Sequence, residues 1–224
     1  VILAGDVGGT HTRLGLFERH DNRPRPIAVG VFPTLGHRDL ASVVSSFMEG
    51  RAVTAADVEV AAFGVAGPVL DGGARLTNVP WRVDPREIAQ VVGIRRVGVL
   101  NDLEAMAHAV PVLHADELLV LQEGAPQIRG NMALIAAGTG LGEAILHNVD
   151  GRFLPVASEG GHADFAARNE REMDLVRDLL QRFGHAEIEQ VISGMGLLNL
   201  HRVAHKGPCL ALDDRDAPDA PALI

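Results

Sequence analysis

GDVGGTHTR, residues 5–13, packs Gly5, Gly8 and Gly9 with Asp6, Thr10, Thr12 and Arg13 between two apolar runs. Val1 to Ala4 precede it, and Leu14, Leu16 and Phe17 follow, interleaved with Gly15 and Glu18. Period-two alternation on both flanks predicts two strands, so the stretch is the tip of a tight hairpin. Two readings stand. The glycines serve φ > 0 turn positions in an ordinary hairpin, or they let a ligand approach the backbone. In the second reading the amides of Gly8, Gly9 and Thr10 converge on a phosphate, with the Thr10 hydroxyl as a further donor. Asp6 would repel a phosphate and suits a hydrated Mg²⁺ instead. No Gly-Lys-Ser/Thr follows, and a strand rather than a helix comes next, so neither the Walker loop nor the dinucleotide fingerprint applies.

Outward from the hairpin, RPIAVGVFPT continues the alternation as a third strand, and HRDLASVVSSFMEGR places Leu40, Val43, Val44 and Phe47 on one helical face. VEVAAFGVAGPVL is a buried strand closed by Gly67-Pro68. LTNVPWRV is a loop or short strand. Asp84, Pro85, Glu87 and Gly93 mark the start and stop of a helix. RRVGVLND is a strand, and LEAMAHAVPVL is the helix after it. MALIAAGTGLGEAILH then repeats the strand, glycine tip, strand pattern, with Gly140 laid on Gly8. The repeat predicts two related α/β halves, residues 1–110 and 111–224. EREMDLVRDLLQRFG, AEIEQVISG and MGLLNLHRVAHKG read as helices, and the Ala-, Asp- and Pro-rich end reads as a loop. The chain has no initiator Met and stops just as Leu223 and Ile224 could begin a new element, so the expectation is an incomplete sequence.

The 224 residues are 47% hydrophobic, enough for a substantial core, and carry a formal net charge of −9. That balance argues against nucleic-acid or membrane-surface binding, and an anionic ligand would need local amides, a metal or a few placed cations. One cysteine, Cys209, excludes an internal disulfide and a cysteine-cluster zinc site. No run reaches about 18 apolar residues, which together with the cysteine usage predicts a soluble cytoplasmic protein. Aromatics are 4%, so stacking platforms are scarce.

Three further stretches carry chemistry. AAGTGLG offers Gly138, Thr139 and Gly140 as a second phosphate tip or as a plain turn. LND ends a strand in Asn101 and Asp102; Asp102 either caps the next helix or accepts the proton of an attacking hydroxyl. SEGGHADF sets Glu159 and His162 around two glycines, as hydroxyl ligands or as a solvated turn. Glu189, on the expected helix AEIEQVISG, carries no signal by itself.

In this order, GDVGGTHTRLGLF, GPV, LTNVPW, LNDLEAMA, AAGTGLGEA, EGGHADFA and VISGMGLLNL resemble the bacterial-type glucokinases of the hexokinase–actin-like superfamily, over residues 1 to about 204. The resemblance implies an α/β protein of two actin-like, ribonuclease-H-like halves around a cleft, the second half incomplete. It implies ATP and Mg²⁺ as cofactors and glucose as substrate, giving glucose 6-phosphate. Asp6, Gly8, Gly9 and Thr10 would form the first phosphate motif, with Asp6 facing Mg²⁺ through water. Gly138, Thr139 and Gly140 would form the second, gripping one polyphosphate from the opposite side. Asp102 would be the catalytic base, and Asn78, Asn101, Glu159, His162 and Glu189 would hold the sugar beside it. Two departures stand out: His11 replaces the usual Asn after GGT, and the family's later adenosine motif is not within the chain. A sugar-sensing regulator and an inactive fragment of the same fold are the alternatives, and a homodimer is left open.

Overall fold

The structure, a computed structural model, describes residues 1–21, 23–76, 79–125, 127 and 129–205. It divides into two compact units, Val1–Pro126 and Gln127–Ile224.

The first unit is built on the opening hairpin. Strands β1 (Ile2–Val7) and β2 (His11–Glu18) pair antiparallel, and β3 (Arg25–Pro33) extends the meander. Helix α1 (Leu40–Met48) follows, and its five buried residues are the stripe read from the sequence, Leu40, Val43, Val44 and Phe47, plus Ala41. Each large apolar side chain buried this way is worth about 1.5–3 kcal/mol. Asp39 caps the helix in a reciprocal box with Ser42. β4 (Val60–Val65) then lies parallel to β1.

A small sheet of β5 (Val69–Leu70), β6 (Gly73–Arg75) and β7 (Arg82–Val83) interrupts the main one. The amide of Leu76 donates to the carbonyl of Trp81. Asn78 lies outside the described residues. Helix α2 (Pro85–Val92) keeps its expected limits: Asp84 caps it, Pro85 opens it, and Gly93 ends it at φ 83°. β8 (Val97–Asn101) joins parallel to β4, completing a sheet ordered β3-β2-β1-β4-β8, and helix α3 (Asp102–Ala109) follows directly. The core runs from Leu3, Leu14 and Leu16 through Phe47 to Phe63 and Ile94, all nearly solvent-free.

The second unit repeats the meander. β9 (Met132–Ala137), β10 (Leu141–Val149) and β11 (Arg152–Ser158) form an antiparallel sheet with β10 central. Both glycine tips are three residues long, 8–10 and 138–140, so by strand ends Gly138, rather than Gly140, is the counterpart of Gly8 in the repeat. Helices α4 (Glu170–Phe183) and α5 (Gly194–Ala204) follow, capped by Asn169 and Ser193.

One expected helix is corrected. Residues 186–193, from AEIEQVISG, are not helical. The amides of Ile188 and Glu189 donate to the carbonyls of Ala163 and Gly161, and Phe165 N–H donates to Ala186 O. Asp164 and Glu187 form a β-bridge. The backbone at 186, 188 and 189 therefore pairs with the 161–165 segment, and only a single local turn remains, in which the amides of Val191 and Ile192 donate to Ile188 O. Among the described residues, no helix is long and apolar enough to cross a membrane.

Candidate active site

The residues singled out from the sequence fall into two groups, each within one unit. In the first unit, Asp6 sits near the end of β1 and Asp102 follows the end of β8, with β4 between the two strands. These are carboxyl ends of parallel strands, where open α/β sheets present their ligands. Gly64 on β4 makes room for the helix that carries Asp102: a Cβ there would meet the Ala105 Cβ at 3.1 Å and the Asp102 Cα at 3.6 Å.

Asn101, not Asp102, caps α3. Its Oδ1 accepts from the amides of Leu103 at 3.0 Å and Glu104 at 3.3 Å, and its Nδ2 donates to the Gly67 carbonyl at 3.2 Å. Asp102 is the first helical residue, its Oδ1 at 2.9 Å from the Leu103 amide. Partial burial pushes the Asp102 carboxyl above the ordinary aspartate range, against the lowering effect of the Leu103 amide, and the neighbouring Asp6 charge adds to the rise. A carboxylate so shifted is a better proton acceptor near neutral pH.

The first tip is tied down by its own backbone. Gly8 N–H donates to the His11 carbonyl at 3.0 Å, the Thr34 hydroxyl donates to Gly8 O at 2.8 Å, and Thr34 N–H donates to Thr10 O at 2.9 Å. The expected convergence of three amides therefore loses Gly8, whose N–H is already used, and leaves those of Gly9 and Thr10. His11 serves the turn through its carbonyl, which any residue supplies, so the departure from Asn leaves the turn intact.

The φ > 0 explanation for the tip glycines fails. Among the described residues, the positive-φ glycines are Gly50, Gly67, Gly72, Gly93, Gly151 and Gly184, and none lies in either tip. At Gly138 a Cβ would meet nothing within 4 Å. Neither backbone angle nor packing demands glycine there, and the open approach to the backbone is what its missing side chain provides.

In the second unit, Glu189 braces the second tip. Its Oε2 accepts from Leu141 N–H at 2.7 Å, and Gly194 N–H donates to Gly138 O at 2.8 Å. Glu159 precedes a short 3₁₀ turn, Gly160–His162, that His162 ends, and both side chains are exposed. His162 Nε2 is 3.8 Å from Glu159 Oε2, and His162 Nδ1 is 3.0 Å from Glu187 Oε2. That hydrogen bond to Glu187, reinforced by the charges of Glu189, Glu187 and Glu159, holds the His162 pKa above the usual imidazole value.

Glu187 was not singled out from the sequence. Its signal was the two-residue spacing of Glu187 and Glu189, which puts both on one side only if the segment is extended. Read as a helix, the same spacing separates them.

Among the described residues, no three His, Cys, Asp or Glu side chains converge as a metal site. An ion such as Mg²⁺, which keeps most of its waters, would need only one carboxylate beside phosphate oxygens. Asp6, exposed at the strand end, is the carboxylate available in the first unit.

A family model described as Glucokinase matches residues 3–222. A glucokinase of Nostoc sp. is 36% identical over 210 residues, covering 90% of this chain and 60% of its own length. A glucokinase crystal structure from an Antarctic psychrotroph superposes with a TM-score of 0.78 at 28% identity, covering 90% of this chain and 63% of that one. A glucokinase from Balamuthia mandrillaris, solved with glucose, shares the fold at a TM-score of 0.71 and 22% identity, covering 99% of this chain and 67% of that one. The chain spans about 60% of the length of the curated relatives it matches.

Proposed function

Since this chain belongs to the glucokinase family, we propose that the protein it represents transfers a phosphoryl group from ATP to glucose, giving ADP and glucose 6-phosphate. One observation carries the chemical role of this chain: Asn101 takes over the helix cap, and Asp102, half-buried beside Asp6, is left with a raised pKa. Asp102 accepts the proton of the sugar 6-hydroxyl as its oxygen attacks phosphorus. ATP supplies the phosphoryl group, and Mg²⁺ neutralises its charge.

The remaining residues position. Gly9 and Thr10 present amides to phosphate oxygens, and the second glycine tip, Gly138, Thr139 and Gly140, is the other phosphate motif, with its open approach at Gly138. Asp6 orients water on the metal side. Asn101, Glu159, His162 and Glu189 engage sugar hydroxyls, and Asn78 belongs with them by its motif. Phosphoryl transfer needs little more than such positioning and charge neutralisation, which suits a site with one base and two glycine tips.

The test is a coupled assay of ADP formation with glucose in the full-length protein. Glucose-dependent turnover that falls in Asp102→Ala, with glucose still bound, is the expected result. Turnover without glucose dependence, or unaffected by the substitution, overturns the reading.

A further inference from the structure

We propose that Glu187 is a positioning residue for His162, holding its Nδ1–H so that Nε2 faces the sugar hydroxyl that Glu159 also engages. The proposal rests on the reading above, that His162 and Glu159 bind the sugar.

The geometry has three parts. First, Glu187 is fixed. It forms the β-bridge with Asp164, its amide donates to Gln190 Oε1 at 3.0 Å, and its side chain is 18% exposed. Second, both of its carboxylate oxygens are committed. Oε2 lies 3.0 Å from His162 Nδ1, and Oε1 lies 2.6 Å from His185 Nε2. A carboxylate accepts only, so each of those ring nitrogens carries the hydrogen. The tautomer of His162 is thereby set, and its plane is set with it.

Third, the far side of the ring is left open. Nε2 stands 3.8 Å from Glu159 Oε2, too far for a direct hydrogen bond. One hydroxyl oxygen fits that gap at about 2.8 Å from both atoms, an ordinary hydrogen-bond length. With His162 protonated, Nε2–H donates to that oxygen while the hydroxyl's own proton goes to Glu159. A hydroxyl read as donor and acceptor at once is distinguished from a hydrogen or a methoxy group at the same carbon.

The charges around His162 favour this state. Glu187, Glu189 and Glu159 all face it and all favour the imidazolium. His185 Nε2 sits on the opposite oxygen of Glu187, so the two imidazoles share that carboxylate. The protonated ring is retained below the raised pKa and lost as pH rises through it, so sugar affinity should fall on the alkaline side.

The experiment uses the full-length protein. The His162 imidazole is titrated by NMR, with its resonance assigned by loss in His162→Gln, and kcat and KM for glucose are measured against pH. In Glu187→Gln the His162 pKa should fall, KM should rise about tenfold, in keeping with a charge-assisted hydrogen bond, and kcat should change little. Glu187→Asp, which keeps the charge, should restore part of both shifts. An unchanged His162 titration in Glu187→Gln overturns the proposal. A raised KM in His162→Gln but not in Glu187→Gln also overturns it, while leaving the sugar reading in place. An unchanged KM in both variants removes His162 from the sugar site, and the positioning role goes with it.

Discussion

A Cβ on Gly140 would stand 2.5 Å from Oε2 of Glu189, the oxygen that accepts the Leu141 amide at 2.7 Å. Gly140 is thus glycine because of its neighbour, whereas Gly138, two residues earlier, has open space. Within one tip, packing requires glycine at 140 and does not require it at 138. Gly140→Ala should push the Glu189 carboxylate off the Leu141 amide and cost about 1–3 kcal/mol, the penalty of leaving a donor unsatisfied. Gly138→Ala should leave Tm unchanged or slightly raised, because its backbone angle accepts alanine. Its KM for ATP should nevertheless rise. Equal ATP affinity in Gly138→Ala and wild type would take that residue away from the phosphates.

Replacing Asp102 by Asn should lower kcat by about 10²–10⁴-fold, the usual worth of a positioned general base. Stability should move the other way or not at all. The folded pKa of Asp102 is raised, so the ionised form is disfavoured in the folded state, and a neutral isostere relieves that cost at pH 7. Calorimetry and steady-state kinetics on the same sample check this. A fall in Tm matching the fall in activity would mean the carboxylate serves the fold.

Asn101→Ala removes the cap of α3 and should cost about 0.5–2 kcal/mol. Asn101→Asp keeps an acceptor for the Leu103 and Glu104 amides and should recover most of it. Urea denaturation of the two variants decides. Equal stability of Ala and Asp at this position would show that the helix start is held by other contacts.

Arg23 grips Glu117 with two hydrogen bonds, 2.6 and 2.9 Å, across 94 residues of sequence. The Arg23 hydrogen bond lowers the Glu117 pKa to about 2. A depressed folded pKa means that the stabilisation is present above the ordinary glutamate value and fades as pH falls towards 2. Arg23→Ala should therefore differ from wild type at neutral pH and converge with it in acid, and added salt should shrink the difference. A difference in Tm that persists in strong acid would assign it to something other than the ion pair.

The strands and capped helices were legible in the sequence because their signals are local. Asp84, Pro85 and Gly93 bound a helix whatever surrounds it, and the alternation around GDVGGTHTR needs only its own residues. The segment from Ala186 to Ser193 was not legible, because its backbone partners, Gly161 and Ala163, lie some 25 residues away. Its charged and apolar residues fit a helix on local grounds, and a tertiary pairing overrides them. Glu187 was lost with it. Asp102 shows the opposite case: cap and base were both open from sequence, and the neighbouring Asn101 decided the cap. The family motifs identified Glu159 and His162, but only their placement showed the 3.8 Å gap between them.

Asp6 lies on β1 and Asp102 directly follows β8, the two strands on either side of β4 in one sheet. Their spacing is therefore set by the stiffness of hydrogen-bonded strands and responds little to slower movements elsewhere in the chain. A substitution in residues 118–125, outside that sheet, should leave the spacing of the two carboxylates alone.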